Sequence, residues 1–225
     1  MKPLNEWGRR MLALFFPYRC AECKQILPPE QYWCPACLAK HVQIVAHVLP
    51  PHDALDGLIT LAPYDRKVRM LFHLAKYHHN KNAVAALRSL AVTAVERLRG
   101  QPFWRPEFNQ APLVFIPGDA KRLSERGIDI PRSLLSPAFS EQPSVDLLIR
   151  NRLTAPQYSL DKRERRLNVA HCFSLTATPA PWQIILLLDD ILTTGATLRE
   201  AARTIKKAGA VTVIGLALAH DNQFS

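Results

Sequence analysis

Glycine is scarce in this chain, at 8 of 225 residues, and no low-complexity tract interrupts it. That combination excludes a chain too polar or too repetitive to build a core. Long apolar runs are missing near the start as well. In MKPLNEWGRRMLALFFPYRC the run extends only from Met11 to Phe16, and no small-residue cleavage site accompanies it. It is too short for a membrane span or a secretory core, so a cytoplasmic protein without a membrane span is expected. Trp7, Met11, Leu14 and Phe15 lie at helical spacing and predict a short amphipathic helix packed on the rest. Acids are under-represented: 19 Asp and Glu stand against 29 Lys and Arg, giving a net charge of +10. Such a balance favours phosphate-bearing partners, either nucleic acid or a small phosphorylated ligand, although a solvated basic surface gives the same figure.

What the chain does hold is apolar bulk, with 48% hydrophobic and 21% charged residues. Its length suits one large domain or one domain with a small appendage. No internal repeat is visible.

Four of the five cysteines form two CxxC pairs, Cys20 with Cys23 and Cys34 with Cys37, in CAECKQILPPEQYWCPAC. The 10 residues between them allow two knuckle turns whose sulfurs converge on one ion. Four thiolates at tetrahedral geometry suit a closed structural zinc, and the metal would supply folding energy to a segment too short for much core. Two disulfides, a redox CxxC or chance are the competing readings; disulfides belong to exported chains, and redox motifs do not come paired. Cys172, in VAHCFSL, reads as a small buried core residue. His73, His78 and His79 read as a solvated helix end, because no acid or cysteine nearby completes a metal set.

The segment HVLPPHDALDG reads as a linker broken by Pro50, Pro51 and Gly57. We therefore expect an N-terminal helix and cysteine module over 1–50 and a second domain over 58–225. LITLAPY predicts a strand from Leu58, and Val68, Leu71, Phe72 and Ala75 share one face of a following helix. Val84, Leu87, Ala91, Ala94 and Leu98 repeat that pattern in a longer helix ending at Gly100. LVFIP predicts a short strand, Pro131 marks a short helix, and VDLLI suggests another strand. The last third predicts a strand at Ile184–Leu188, a helix at about Thr197–Ala208 stopped by Gly209, and a strand at Val211–Leu218. Lys206 and Lys207 in its last turn complement the helix dipole. Both strands are apolar on successive residues, as in a parallel sheet covered on both faces, so the fold class is α/β.

In QIILLLDDILTTGATL, Asp189 and Asp190 follow the buried strand and stand before a turn containing Thr193, Thr194, Gly195, Ala196 and Thr197. Ligand crevices in open parallel sheets lie outside the carboxyl ends of the strands. Backbone N–H groups at such a turn, reinforced by a helix dipole, form a cup for phosphate. Two carboxylates repel phosphate and must face another part of the ligand. The vicinal hydroxyls of a ribose 5-phosphate fit that demand. A divalent metal held by the acids, or an acid that merely caps the helix, are the alternatives.

These residues carry a resemblance. ILLLDDILTTGATL resembles the phosphoribosyl-pyrophosphate signature of type I phosphoribosyltransferases. LFPYRCAEC…CPAC, YDRKVRMLFHLAKY, IPGDAKRLSERG and RNRLTAPQYSLDKRERRLNV extend the resemblance over nearly the whole chain, to the ComF family (GntX-like) of phosphoribosyltransferase-like proteins related to competence and DNA utilisation. The resemblance implies a five-stranded parallel core with flanking helices, a small hood and a small zinc-ribbon-like N-terminal module. It implies that Asp189 and Asp190 bind the ribose hydroxyls in catalysis and that Thr193 through Thr197 bind the 5-phosphate. Lys121, Arg122 and Arg126 then match the pyrophosphate side, with magnesium, while Arg163, Arg166 and Asn168 match a loop that closes over it. Two departures stand out. Gly118, Asp119, Ile128 and Asp129 replace the usual residues on the pyrophosphate side, and Thr193 stands where purine-salvage enzymes place an acid.

Two functions follow. One is a phosphoribosyltransferase with an unidentified acceptor, serving uptake or use of DNA. The other is a non-catalytic module that senses a ligand or binds single-stranded DNA, among DNA-uptake proteins, with Trp33, Trp104 and Tyr158 as stacking platforms. Such aromatics are more commonly core or rim residues.

Overall fold

The computed structural model describes residues 18–28, 31–118, 127–151, 172–176 and 183–221. The amphipathic helix expected around Met11 lies outside these residues. In chain order the described elements begin with helix Pro35–His41 (α1), strand Val45–Ala46 (β1), strand Gly57–Pro63 (β2), helix Arg66–Tyr77 (α2) and helix Lys81–Arg99 (α3). Strand Leu113–Phe115 (β3), helix Ile130–Leu135 (α4), strand Leu148–Arg150 (β4) and strand Phe173–Leu175 (β5) follow. Strand Ile184–Leu192 (β6), helix Ala196–Lys207 (α5) and strand Thr212–His220 (β7) end the series.

One five-stranded sheet, in the order β1-β2-β7-β6-β3, forms the frame, and β4 and β5 make a separate two-stranded ribbon. The pairs β2/β7, β7/β6 and β6/β3 are parallel. The fifth strand departs from the expected all-parallel core, because β1 runs antiparallel to β2. Gln43 and His47 donate backbone N–H bonds to Leu61 and Leu58 at 3.0 and 2.8 Å. The strand that completes the sheet thus lies just before the segment read as a linker, whose His47 extends the pairing, and Gly57, read as a breaker, opens β2.

Both faces of the sheet are covered, as the unbroken apolar runs require. Leu186, Leu188, Leu216, Ile59 and Leu61 pack with residues of α2, α3 and α4, including Phe72, Leu87, Leu90 and Leu134. Ile185, Leu187, Val213 and Ala217 pack instead with Leu198, Ala201, Ala202 and Ile205 of α5. Each fully buried aliphatic side chain contributes about 1.5–3 kcal/mol. The four residues assigned to one face of α2, Val68, Leu71, Phe72 and Ala75, are its buried residues. Side chains cap both helices: Val68 N–H donates to Asp65 at 2.8 Å, and Ala83 N–H to Asn80 at 2.9 Å.

The cysteine segment shares the core on the α2/α3 side, where Cys20, Leu27, Trp33, Cys34 and Cys37 are buried. Trp33 Nε1 donates to the Ala86 carbonyl at 2.9 Å, and Lys67 Nζ to that of Ala21 at 2.8 Å. His41, 6% exposed, stands between Glu22 and Asp65, with Nδ1 2.8 Å from the Asp65 carboxylate. The N-cap of α2 is in this way tied to the first cysteine knuckle.

Candidate functional site

β6 runs to Leu192 rather than stopping at Leu188, so Asp189 and Asp190 lie inside its last turn-ward residues and not beyond them. Neighbouring strand residues face opposite sides. Asp190 follows Leu186 and Leu188 toward α2, where its Oδ2 lies 2.6 Å from Lys76 Nζ. Both side chains are mostly enclosed, at 14% and 18% exposure. Asp189 accepts the Asp190 backbone N–H at 2.8 Å. Burial, reinforced by the charge of Asp190, raises the Asp189 carboxyl to about 7, against the pull of Lys76 and Arg150. Arg150 is fixed by an Nε donation to the Pro117 carbonyl at 3.2 Å and lies over the Phe173 ring. Nearby, burial also raises Asp129, the N-cap of α4, and Tyr64, which follows β2.

The turn after β6 behaves as the sequence predicts. Gly195 is left-handed (φ 69°) and opens α5 without any side-chain cap. Helix N-termini leave backbone N–H groups without intrahelical partners. The Thr194 hydroxyl accepts from the Ala196 N–H at 3.3 Å. Thr197 is buried, while Thr193 and Thr194 are half-exposed. The left-handed backbone favours glycine here, and a methyl at Gly195, 2.5 Å from Arg199 Nη1, would have to displace that guanidinium. Arg199 is the clamp: Nη1 donates to the Thr194 carbonyl at 2.8 Å and Nε to Asp53 at 2.7 Å. Asp53 also accepts the Leu55 N–H at 3.0 Å, and its side chain is 3% exposed.

Of the residues singled out from sequence, Asp189, Asp190 and Thr193 through Thr197 come together at this sheet edge. Lys121, Arg122, Arg126, Arg163, Arg166, Asn168, Asp119 and Tyr158 lie outside the described residues. Lys76, Arg199 and Asp53 were missed. Nothing in their local sequence marks them, since each acts through a partner far along the chain. A groove bordered by Phe173, Leu175, Glu200, Thr204 and Lys207 contains none of the acid-pair or turn residues.

Two aromatic assignments are corrected. Trp33 and Trp104 are 4% and 6% exposed and cannot stack on bases. Their indole N–H groups are turned inward, to the Ala86 carbonyl and to Asn109 Oδ1. His73, His78 and His79 are exposed around the end of α2, and Cys172 is buried, as expected.

The four paired cysteines converge, with all Sγ atoms within 4.8 Å of one another. Cys23 and Cys34 Sγ stand 3.8 Å apart, far beyond a disulfide bond and close to the ~3.8 Å that a tetrahedral zinc with 2.3 Å bonds requires. Backbone N–H groups of Cys34 and Cys37 point at Cys20 and Cys34 sulfur, each at 3.4 Å. Burial opposes ionisation of Cys20, yet the donors around it, Cys34 N–H first, bring it down to about 6. Cys37 is pushed up to about 12 by its hydrogen bond to Cys34 and by burial. Four ionised sulfurs so close need a cation between them, and these residues fit one.

Fold and site together define an α/β protein with a mixed, mainly parallel sheet, an acid pair and an uncapped helix start at its carboxyl edge, and a four-cysteine cluster that can bind a metal such as zinc. Along nearly its whole length the chain is similar to bacterial DNA-utilization and competence proteins. It is 28% identical over 216 residues to DNA utilization protein YhgH of Shigella flexneri, covering 92% of both chains. It is 26% identical over 223 residues to Competence protein F of Haemophilus influenzae, covering 89% of this chain and 90% of that one. These names agree with the ComF resemblance. No family model matches the chain. Similar solved structures include adenine phosphoribosyltransferase of Trypanosoma brucei, in complex with AMP, pyrophosphate and ribose-5-phosphate (12% identity, 82% and 88% coverage, TM-score 0.41). Another is adenine phosphoribosyltransferase of Leishmania tarentolae (13% identity, 78% and 94% coverage, TM-score 0.37). No helix among the described residues is long and apolar enough to cross a membrane.

Proposed function

We propose that this protein binds phosphoribosyl pyrophosphate at the carboxyl edge of β6 and transfers its phosphoribosyl group to an acceptor in the use of DNA, in the cytoplasm. The observation that carries the reading is the succession of acid pair, left-handed Gly195 and uncapped helix start between Asp189 and Ala196. Carboxylates accept from the ribose diol, and the amides of the turn and the first turn of α5 donate to the 5-phosphate. In the transfer, the bond from ribose C1 to pyrophosphate breaks with its electron pair leaving on the pyrophosphate, and the acceptor's lone pair forms the new bond to C1. The ionised acid pair stabilises the positive charge that develops on the ribosyl ring. Magnesium would neutralise the leaving group, with carboxylate oxygens as hard donors suited to it. The Arg- and Lys-rich segments at Lys121, Arg122, Arg126, Arg163 and Arg166 would serve the pyrophosphate. Zinc would be held by Cys20, Cys23, Cys34 and Cys37 and would be structural, because four thiolates leave no open position.

The test is calorimetric titration with magnesium and phosphoribosyl pyrophosphate, followed by a pyrophosphate-release screen across bases and amines. Binding that disappears in the Asp189→Asn, Asp190→Asn double variant supports the reading, and absence of binding to the unaltered protein defeats it.

A second reading, single-stranded DNA binding without turnover, is favoured by one surface. From Arg66 to Val95 the chain contains no Asp or Glu, and α2 exposes Arg69, His73 and Tyr77. An aromatic ring among cations suits stacked bases beside phosphates. Such binding would weaken steeply with salt, whereas the nucleotide-sugar site answers mainly to magnesium and the acid pair.

A further inference from the structure

We propose that Lys76 is the positioning residue of the acid pair: by holding Asp190 Oδ2 at 2.6 Å it fixes that carboxylate and leaves Oδ1 for the sugar diol. The inference rests on the phosphoribosyl reading for its purpose but on geometry for its substance. Lys76 lies far outside the signature, on the last turn of α2. Its ammonium is held 5.3 Å from the Phe72 ring centroid, and that ring is fully buried, so the approach to Asp190 is fixed by the core. The 2.6 Å pair is enclosed on both sides, unlike a solvent-exposed pair that contributes little. Asp190 Oδ1 has no hydrogen-bond partner among the described residues, so one lobe of the carboxylate is engaged by the protein and the other remains for a hydroxyl donor.

The two acids are consequently unequal. Asp190 has its own cation. Among the described residues Asp189 has none in contact and feels Lys76 and Arg150 only at a distance, with Asp190 repelling it. The groups facing the pair are Lys76 and Tyr64 from the α2 side, Asp129 at the start of α4, and Arg150 from β4.

The experiment measures phosphoribosyl pyrophosphate affinity by calorimetry with magnesium in the full-length protein and its Lys76→Met and Lys76→Arg variants, together with crystal structures of the ligand-free variants. In Lys76→Met the Asp190 carboxylate should turn from its present place and binding should weaken by about tenfold, while Lys76→Arg restores both. An Asp190 carboxylate that keeps its place in Lys76→Met, or binding equal to that of the unaltered protein, overturns the proposal. Should Lys76→Met fail to fold, Lys76→Gln, whose side chain is one atom shorter, carries the same comparison with the same two outcomes. If the unaltered protein binds no phosphoribosyl pyrophosphate, the function fails, and the ligand-free structures still decide the role of Lys76.

Discussion

Replacing Asp189 with asparagine should make the ligand-free protein more stable, by an amount that grows as pH rises from about 4 to about 7. The folded chain holds the Asp189 carboxyl at about 7, against an ordinary value of 3.8. A carboxyl raised by folding binds its proton more tightly in the native state, so its contribution to stability is complete below the unfolded value. It declines as pH rises from about 4 and levels off above about 7. The gap corresponds to about 4 kcal/mol at 1.36 kcal/mol per pH unit, an upper bound because the two neighbouring acids titrate together. We expect half of it, about 2 kcal/mol, to be recovered by asparagine at pH 8.5. The amide can still accept the Asp190 N–H through its oxygen, so the local hydrogen bond survives. At pH 5 the folded group is still neutral but the unfolded one has ionised, so the difference should be smaller, about 0.8 kcal/mol, half of the roughly 1.6 kcal/mol that 1.36 kcal/mol per unit gives between 3.8 and 5. Urea unfolding of zinc-replete protein at the two pH values measures the difference, and the other titrating groups cancel between the pair. For a chain of this length, 2 kcal/mol corresponds to a midpoint shift of about 4 °C. Equal stability at both pH values, or an asparagine variant weaker at pH 8.5, would refute the account of the site as one in which stability is given up to hold a buried charge.

Two further outcomes follow from the frame around the site. Asp53→Asn removes the buried partner of Arg199 and should cost about 3 kcal/mol together with most of the phosphoribosyl pyrophosphate affinity, because Arg199 also holds the Thr194 carbonyl. Lys206→Met, which loses only a more exposed pair with Asp56, should cost about 1 kcal/mol or less and spare binding; denaturant titration of both variants checks this. Protein purified without chelator should contain about one zinc per chain. Cys34→Ser should lose it and unfold at lower denaturant, and elemental analysis showing no metal in the unaltered protein would count against the site.

The central fold was legible because burial on both sides of a sheet leaves an unmistakable record. IILLL and VIGLALA are apolar at successive positions, and α5 between them shows Gly195 at its start and Lys206 and Lys207 at its end. Helices α2 and α3 were legible from periodicity. The antiparallel strand β1 was not, because two residues of extended chain carry no pattern, and its pairing is decided by the strand it meets. The acid pair and turn could be found because their residues are contiguous. Lys76, Arg199 and Asp53 could not, since Arg199 and Asp53 are 146 positions apart and no local spacing encodes such a pair. The tryptophans were offered to a nucleic acid because composition does not reveal where an indole N–H finds its acceptor.

The short stretch of chain that lies along β2 has a consequence for handling the molecule. Five of the seven residues of β2 are buried, and among the described residues its outer backbone groups are met by residues just downstream of the last cysteine knuckle. If that knuckle comes apart through oxidation or loss of its ion, this cover is released and an apolar strand with unpaired amides faces solvent, a ready template for self-association. Solubility of the whole protein is therefore governed by thiol chemistry some distance from the ligand crevice, and cutting away the amino-terminal module to isolate the sheet would yield aggregates rather than a smaller working unit.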